Sequence, residues 1–347
     1  MREEKQYERL HRRIHRLHDA VRHRIHDDSD RSIGMARKIA DTKKMTHEQW
    51  LELRKSSIGG SDAAVCVNMN PYSGLLTLYA DKKGLSNEKE TSEAMRLGTD
   101  LEQYVAERFT EKTGKKVRND FGMYADDEYD YITANIDRKV VGENAGLECK
   151  VMGSFHGYNF ENGDVPSHYY CQCQHYSMVM GFDMVYLAIL VLQRGLYVIE
   201  IKRDNDFIKS LREAETAFWT QYIEQDRMPE PDGESDFDTL KSLYPKEVPM
   251  SEIIVPGLDK MITQYKAFDH EAKEMKKAAE SVKAQICQKL GKNEAGIGID
   301  YGCTWKTQSK VSGYDMARLQ EDYPNINIDK YKKVSEYRVF RTKQMKK

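Results

Sequence analysis

The chain has 347 residues, a nearly balanced charge (54 Lys and Arg against 56 Asp and Glu, net −2) and six cysteines. That length holds one substantial core plus an appendage, and the balance excludes a generally basic nucleic-acid binder, so any DNA path must come from local patches or from assembly. No signal peptide and no long apolar run are present, which predicts a soluble protein without membrane contact, and six cysteines with no CxxC pair predict a reducing cytoplasm rather than a disulfide scaffold.

In chain order, residues 1–46 read as a basic helical extension. Tyr7, Leu10, Ile14, Leu17, Val21 and Ile25 form an apolar stripe at helical spacing, with His11, His15 and His18 alongside. Three histidines so spaced can bind a metal or DNA backbone, but a solvated face of a packing helix is the commoner outcome. Next, Gly59-Gly60-Ser61 opens a short helix over 61–67. Amides at such a turn suit a phosphate, yet the same pattern begins any helix; Arg54 nearby favours the phosphate. Thr99-Asp-Leu-Glu102 has the spacing of a capping box, so Glu102 is expected to reach back to the Thr99 amide if no other role claims it.

Residues 135–141 and 147–151, joined by a turn over 143–146, read as a β-hairpin. Alternation puts Glu148 and Lys150 on one face and Cys149 on the other, and the pairing brings Asp137 beside Glu148. Two carboxylates and an ammonium then converge, the set that metal-assisted hydrolysis of a phosphodiester requires. The carboxylates offer hard oxygens to Mg²⁺, the ion activates water and offsets developing charge, and the lysine orients the water or neutralises the transition state. The Cys149 carbonyl, not its thiol, is a further candidate ligand. The bare spacing is also that of an exposed, salt-bridged hairpin, and alone it favours that reading.

Beyond the hairpin, Gln172, His175, Tyr176 and Val179 share a helical face on which His175 is expected to be packed or hydrogen-bonded rather than a ligand. Cys171 and Cys173 point apart on that helix and make no zinc site. Residues 184–192 are almost continuously apolar, as in a strand buried on both faces. A second strand follows over 196–202, then an amphipathic helix over 204–225. Residues 227–256 read as an acidic, Pro-bearing linker. From Leu258 to Ile286 apolar residues repeat at alternating three and four, a heptad seam. A hairpin over 296–306, a last strand over 337–342 and a basic ending close the chain. The expected domains are thus 1–46, 47–226, 227–256 and 257–347, the second built as an α/β mixed sheet flanked by helices.

The order of five blocks is more specific than any one of them. Residues 54–64 (RKSSIGGSDAA), 70–72 (NPY), 95–102 (MRLGTDLE), 134–150 and 165–175 (VPSHYYCQCQH) together resemble the YqaJ-type viral recombinase family, whose relatives include bacteriophage lambda exonuclease, within the PD-(D/E)-x-K nuclease superfamily. The resemblance runs from Trp50 to Tyr222. It implies a restriction-endonuclease-like core with Asp137, Glu148, Lys150 and Gln172 catalytic. It also implies Glu102, Asp137, Glu148 and the Cys149 carbonyl as metal ligands, and Arg54 and Ser61 as holders of a 5′-phosphate. Two positions depart from the pattern: Arg138 stands where Gly is frequent after the motif Asp, and Ile136 replaces the Pro.

The resemblance further implies an Mg²⁺-dependent (or Mn²⁺-dependent) 5′→3′ exonuclease on linear duplex DNA. Such an enzyme leaves 3′ single-stranded tails for an annealing protein, forms a trimeric ring, and is encoded by a phage or prophage in a bacterial cytoplasm. The alternatives are an endonuclease or nicking enzyme on the same fold, and a non-catalytic DNA-binding or assembly protein.

Overall fold

The structure, a computed structural model, describes residues 36–86, 92–153, 158–299, 301–309, 314–333, 337, 340 and 342. The apolar and histidine stripes over 7–25 and most of the expected last strand and basic ending lie outside the described residues. The chain divides into two units at Tyr244 and Pro245. The first contains β1 (Arg37–Asp41), α1 (His47–Lys55), α2 (Gly60–Cys66), α3 (Leu75–Lys82), α4 (Glu93–Thr113), β2 (Val117–Asn119), β3 (Gly122–Ala125), β4 (Thr133–Ala134), β5 (Arg138–Val140), β6 (Ala145–Met152), α5 (Ser167–Met180), β7 (Met184–Val191), β8 (Gly195–Lys202), α6 (Asn205–Phe218) and α7 (Glu234–Leu243).

Five strands form the principal sheet in the order β2-β5-β6-β7-β8. β5 and β6 pair antiparallel as a hairpin, with Arg138 opposite Leu147. β6 and β7 run parallel, with Glu148 opposite Leu187, which requires a crossover, and α5 supplies it. β8 returns antiparallel along all of β7. The apolar run of β7 is buried on both sheet faces, as its composition demands. On one face Leu147, Cys149 and Val151 of β6 pack with Val105 and Phe109 of α4. On the other, Leu187, Ile189 and Val191 meet Cys173, Tyr176 and Val179 of α5 and Ile208 of α6. The mixed sheet flanked by helices is therefore as expected. A third apolar cluster, with Ile58, Val65, Leu76, Tyr79 and Phe218, ties α2 and α3 to the end of α6.

Several expectations need correction. Residues 37–41, placed in the helical extension, are a strand paired with β3, and β3 pairs in turn with β4. α4 starts at Glu93 with Ser92 as its cap, so Thr99 is inside the helix, its hydroxyl donating to the Met95 carbonyl at 3.2 Å; no capping box forms there. The helix read over 204–225 ends regularly at Phe218 and continues as a π turn over Trp219–Glu224.

The acidic stretch 227–256 is also not a linker throughout, because it contains α7. That helix is anchored by Asp236, which is fully buried. Its carboxylate accepts from the Thr77 amide at 3.0 Å, the Thr77 hydroxyl at 2.9 Å and the Asp232 amide at 2.9 Å. A side chain at Gly74 would collide with that carboxylate.

The second unit contains α8 (Leu258–Leu290), the expected hairpin as β9 (Ala295–Ile297) with β10 (Gly302–Thr304), and α9 (Met316–Asp322). The seam residues Met261, Tyr265, Phe268, Met275 and Val282 of α8 are exposed, and Tyr265 meets the Phe340 ring edge-on. Among the described residues no helix is long and apolar enough to cross a membrane.

Replacing Asp236 by alanine strands the buried Thr77 donors and frees the Asp232 amide. The variant is expected to lose about 3 kcal/mol of unfolding free energy, read by urea denaturation, whereas Asp236→Asn, which keeps one acceptor oxygen, should lose clearly less.

Candidate active site

The site sits in a fork of the principal sheet. β5 pairs with β6 only as far as Arg138 opposite Leu147, so the C-terminal half of β6 has β7 on one side and no strand on the other. Asp137, the residue just before β5, fills the gap: its Oδ2 accepts the Cys149 N–H at 2.8 Å. In an extended strand the N–H and C=O of one residue point to the same edge, so the Cys149 carbonyl opens toward Asp137 too. Burial, with Asp137 and Glu148 adding to it, pushes the Cys149 thiol well above its ordinary range, so the carbonyl is the useful donor there.

Glu148 follows on the face covered by α5. It is only 3% exposed. One of its oxygens, Oε1, is saturated: the Lys150 ammonium lies 2.5 Å away and Gln172 Nε2 donates at 2.8 Å. The other, Oε2, is buried with no hydrogen-bond partner. Gln172 also donates to the Tyr176 hydroxyl at 2.8 Å. Tyr176 in turn lies against the backbone of Gly60, where any Cβ would stand 2.6 Å from its ring. The start of α2 and the catalytic candidates are thus coupled through one tyrosine. Lys150 lies over the Tyr169 ring, 5.2 Å from its centroid.

The charges are mutually consistent. Burial raises the Asp137 carboxyl well above its ordinary value, and the Glu148 and Glu102 charges raise it further. Burial works against the Lys150 ammonium, but Glu148 and Asp137 outweigh it and hold the group above the normal lysine range. Without an ion the site is therefore short of positive charge, and Lys150 stays protonated.

Glu102, on α4, is near enough for its charge to act on Asp137, but its own partner is Arg138. Its Oε1 accepts from Arg138 Nη1 at 2.6 Å. Among the described residues no set of three His, Cys, Asp or Glu side chains is close enough to hold a metal. The hard oxygens nearest this spot are those of Asp137 and Glu148, whose charges act on each other, and the Cys149 carbonyl on the Asp137 edge of β6. That set fits a divalent ion such as Mg²⁺, which binds few protein ligands and keeps waters.

Arg54 and Ser61 come together as anticipated: Arg54 Nη2 donates to Ser61 Oγ at 2.6 Å. The guanidinium stacks over Trp50, 4.8 Å from the ring centroid, and lies 3.7 Å from Asp62. Lys82 Nζ pairs with Asp62 at 2.6 Å and donates to the Arg54 carbonyl at 2.9 Å. Sequence reading did not find Lys82, since no local pattern links α3 to the start of α2; nor did it find Tyr169. His175 is packed as expected, fully buried between Glu215 and the Thr133 carbonyl at 2.8 Å each.

The profile of the YqaJ-like viral recombinase domain matches residues 49–183. The chain is 31% identical over 312 residues to the uncharacterized protein YqaJ of Bacillus subtilis, covering 88% of this chain and 97% of that one. Among solved structures, an alkaline exonuclease from Laribacter hongkongensis aligns at 17% identity and a TM-score of 0.42, over 52% of this chain and 97% of that one. A phage-related exonuclease from Haemophilus somnus aligns at 15% and 0.40, over 49% and 96%.

A carboxyl held above its unfolded-state value stabilises the fold fully below that value and ceases to as pH rises through the folded one. Asp137 is such a group, so ion-free protein is expected to lose stability across that window. Asp137→Asn, which keeps an acceptor for the Cys149 N–H, should be the more stable protein in EDTA at neutral pH. Guanidinium unfolding across pH checks it; a wild type that outlasts the variant at neutral pH would contradict the assigned direction.

Proposed function

The chain belongs to the YqaJ-like viral recombinase family, and from that premise we propose that it is a divalent-metal-dependent DNA nuclease acting 5′→3′ from the ends of linear duplexes. The observation that carries the reading is Glu148: a buried carboxylate with one oxygen fixed by Lys150 and Gln172 and the other bare beside Asp137. An acid of that kind is costly to bury unless a cation completes it.

Asp137, Glu148 and the Cys149 carbonyl are the groups that would hold Mg²⁺, or Mn²⁺ in its place. When bound, the ion supplies Lewis-acid charge against the phosphodiester and lowers the pKa of water. Gln172 fixes the rotamer of Glu148, so the carboxylate is aimed before substrate arrives. Lys150, held protonated by the two carboxylates, acts as a charged donor to the anionic transition state. Arg54, held by its stack on Trp50 and its bond to Ser61, presents a guanidinium suited to a terminal 5′-phosphate. Tyr176 and Gly60 set the spacing between that position and Gln172.

The products of such a reaction are duplexes with 3′ single-stranded tails, the substrate of a strand-annealing partner. A ring of three copies, as the family resemblance implies, would supply processivity that a chain of net charge −2 does not provide through general basicity.

The test uses purified wild type, Lys150→Ala and Glu148→Gln with linear 5′-phosphorylated duplex and with a covalently closed circle, with and without Mg²⁺ or Mn²⁺. Metal-dependent loss of the linear DNA alone is expected, reduced about 100-fold or more in both variants with DNA binding retained. Arg54→Ala should slow degradation and remove the preference for a 5′-phosphate. Cutting of the circle would replace the end-dependent reading with an endonuclease; no cutting by wild type in either metal would leave a DNA-binding role.

A further inference from the structure

Arg138 is only 8% exposed, and its guanidinium makes three hydrogen bonds. Nη1 donates to Glu102 Oε1 at 2.6 Å and to the Asp137 carbonyl at 2.7 Å, and Nη2 donates to Gln103 Oε1 at 3.1 Å. The nuclease reading as it stands gives this group no task. Yet it is anchored on the backbone of one proposed metal ligand and on the side chain of an acid that the family pattern also assigns to the metal. A guanidinium so enclosed cannot release its carboxylate without becoming an unpaired buried charge. Glu102 is therefore not free to swing toward Asp137 and Glu148.

The charge balance points the same way. Asp137, Glu148 and Glu102 face Lys150 and Arg138, which leaves a single net negative charge. One divalent ion already reverses it. A second would add to a positive cluster in a poorly solvated site before any phosphate is present.

We propose that Arg138 claims Glu102 and thereby confines the site to one divalent ion, held by Asp137, Glu148 and the Cys149 carbonyl. Glu102 is then a positioning residue that pins the guanidinium beside the ion rather than a ligand. The positive charge that a second cation would bring is built into the chain at Arg138, where the family pattern frequently has glycine. The inference rests on the nuclease reading for the identity of the site.

The experiment counts ions. Mn²⁺ alone is titrated into the full chain without DNA, and the free ion is followed by electron paramagnetic resonance; DNA cleavage is assayed in parallel. Wild type should bind one ion per chain. Arg138→Met, which keeps the packing of the stem, should gain a second, and Glu102→Gln in that background should lose it again. If Arg138→Met does not fold, Glu102→Gln alone decides: one ion per chain is expected, and loss of an ion overturns the proposal. Two ions in wild type, or a folded Arg138→Met that still binds one, also overturn it. Two ions with metal-dependent cleavage would remove this inference and leave the nuclease standing. One ion without cleavage would keep the ion count and remove the nuclease; no ion and no cleavage would remove both.

Discussion

A carboxylate in the middle of a sheet is the constraint around which this unit is organised. β6 has to serve two masters: Leu147, Cys149 and Val151 belong to the apolar layer under α4, while alternation forces Glu148 and Lys150 onto the layer under α5. Burying a charge there is unfavourable unless partners are supplied at fixed positions. Lys150 supplies one from the same strand, and Gln172 supplies one from α5. Those two contacts dictate where α5 must lie against the sheet and in which rotation. The parallel pairing of β6 with β7 then follows, because α5 is the crossover that joins them.

The next layer is polar as well, which is unusual for a helix packed so deeply. Gln174 donates to the Lys202 carbonyl and accepts from the Asp204 amide. His175 bridges Glu215 of α6 and the carbonyl of Thr133. A ring nitrogen facing a carbonyl must donate, so Nε2 carries a proton and Nδ1 is left to share one with Glu215. Burial disfavours the imidazolium, but the Glu215 charge outweighs it and holds His175 above the usual histidine range; burial likewise raises Glu215. These bonds are directional where apolar contacts are not, so they fix the register of α5 against both α6 and β4. A slip of α5 would carry Gln172 away from Glu148, which links the polar packing to the geometry of the site.

How much of this could be read from the sequence depended on the range over which each signal acts. The hairpin holding Asp137 and Glu148 was legible because its turn and its alternation lie within a few residues of each other. So were α5 and the apolar β7. β1 and β3 were not, since they are short and pair across more than eighty positions, from Asp41 with Gly122 to Arg37 with Ala125. Glu102 was placed on a helix correctly, and Thr99, the capping partner that the local sequence offered as the alternative, lies inside that helix. Thr99 and Ser92 both look like caps locally, and the helix begins at the earlier one. Asp236 shows the same limit. In sequence it is one more acid in a solvated stretch; in the fold Thr77, from a helix far earlier in the chain, buries it. Lys82, which holds Asp62 and the Arg54 carbonyl, had no local signature.

The second unit belongs in any account of the family. The domain profile stops at residue 183, just after α5. The match to the Bacillus subtilis relative covers 88% of this chain, whereas Pro245–Lys347 makes up more than a quarter of it. That match must therefore run into the second unit. A helix of 33 residues with an exposed seam of Met, Tyr, Phe and Val is poorly suited to standing in water by itself, and a heptad repeat specifies a helical partner more readily than a flat surface. The proposed chemistry needs none of these residues, since Asp137, Glu148, Lys150 and Gln172 all lie in the first unit. What the two relatives share is thus larger than the first unit, and it takes in the long helix with the exposed apolar seam.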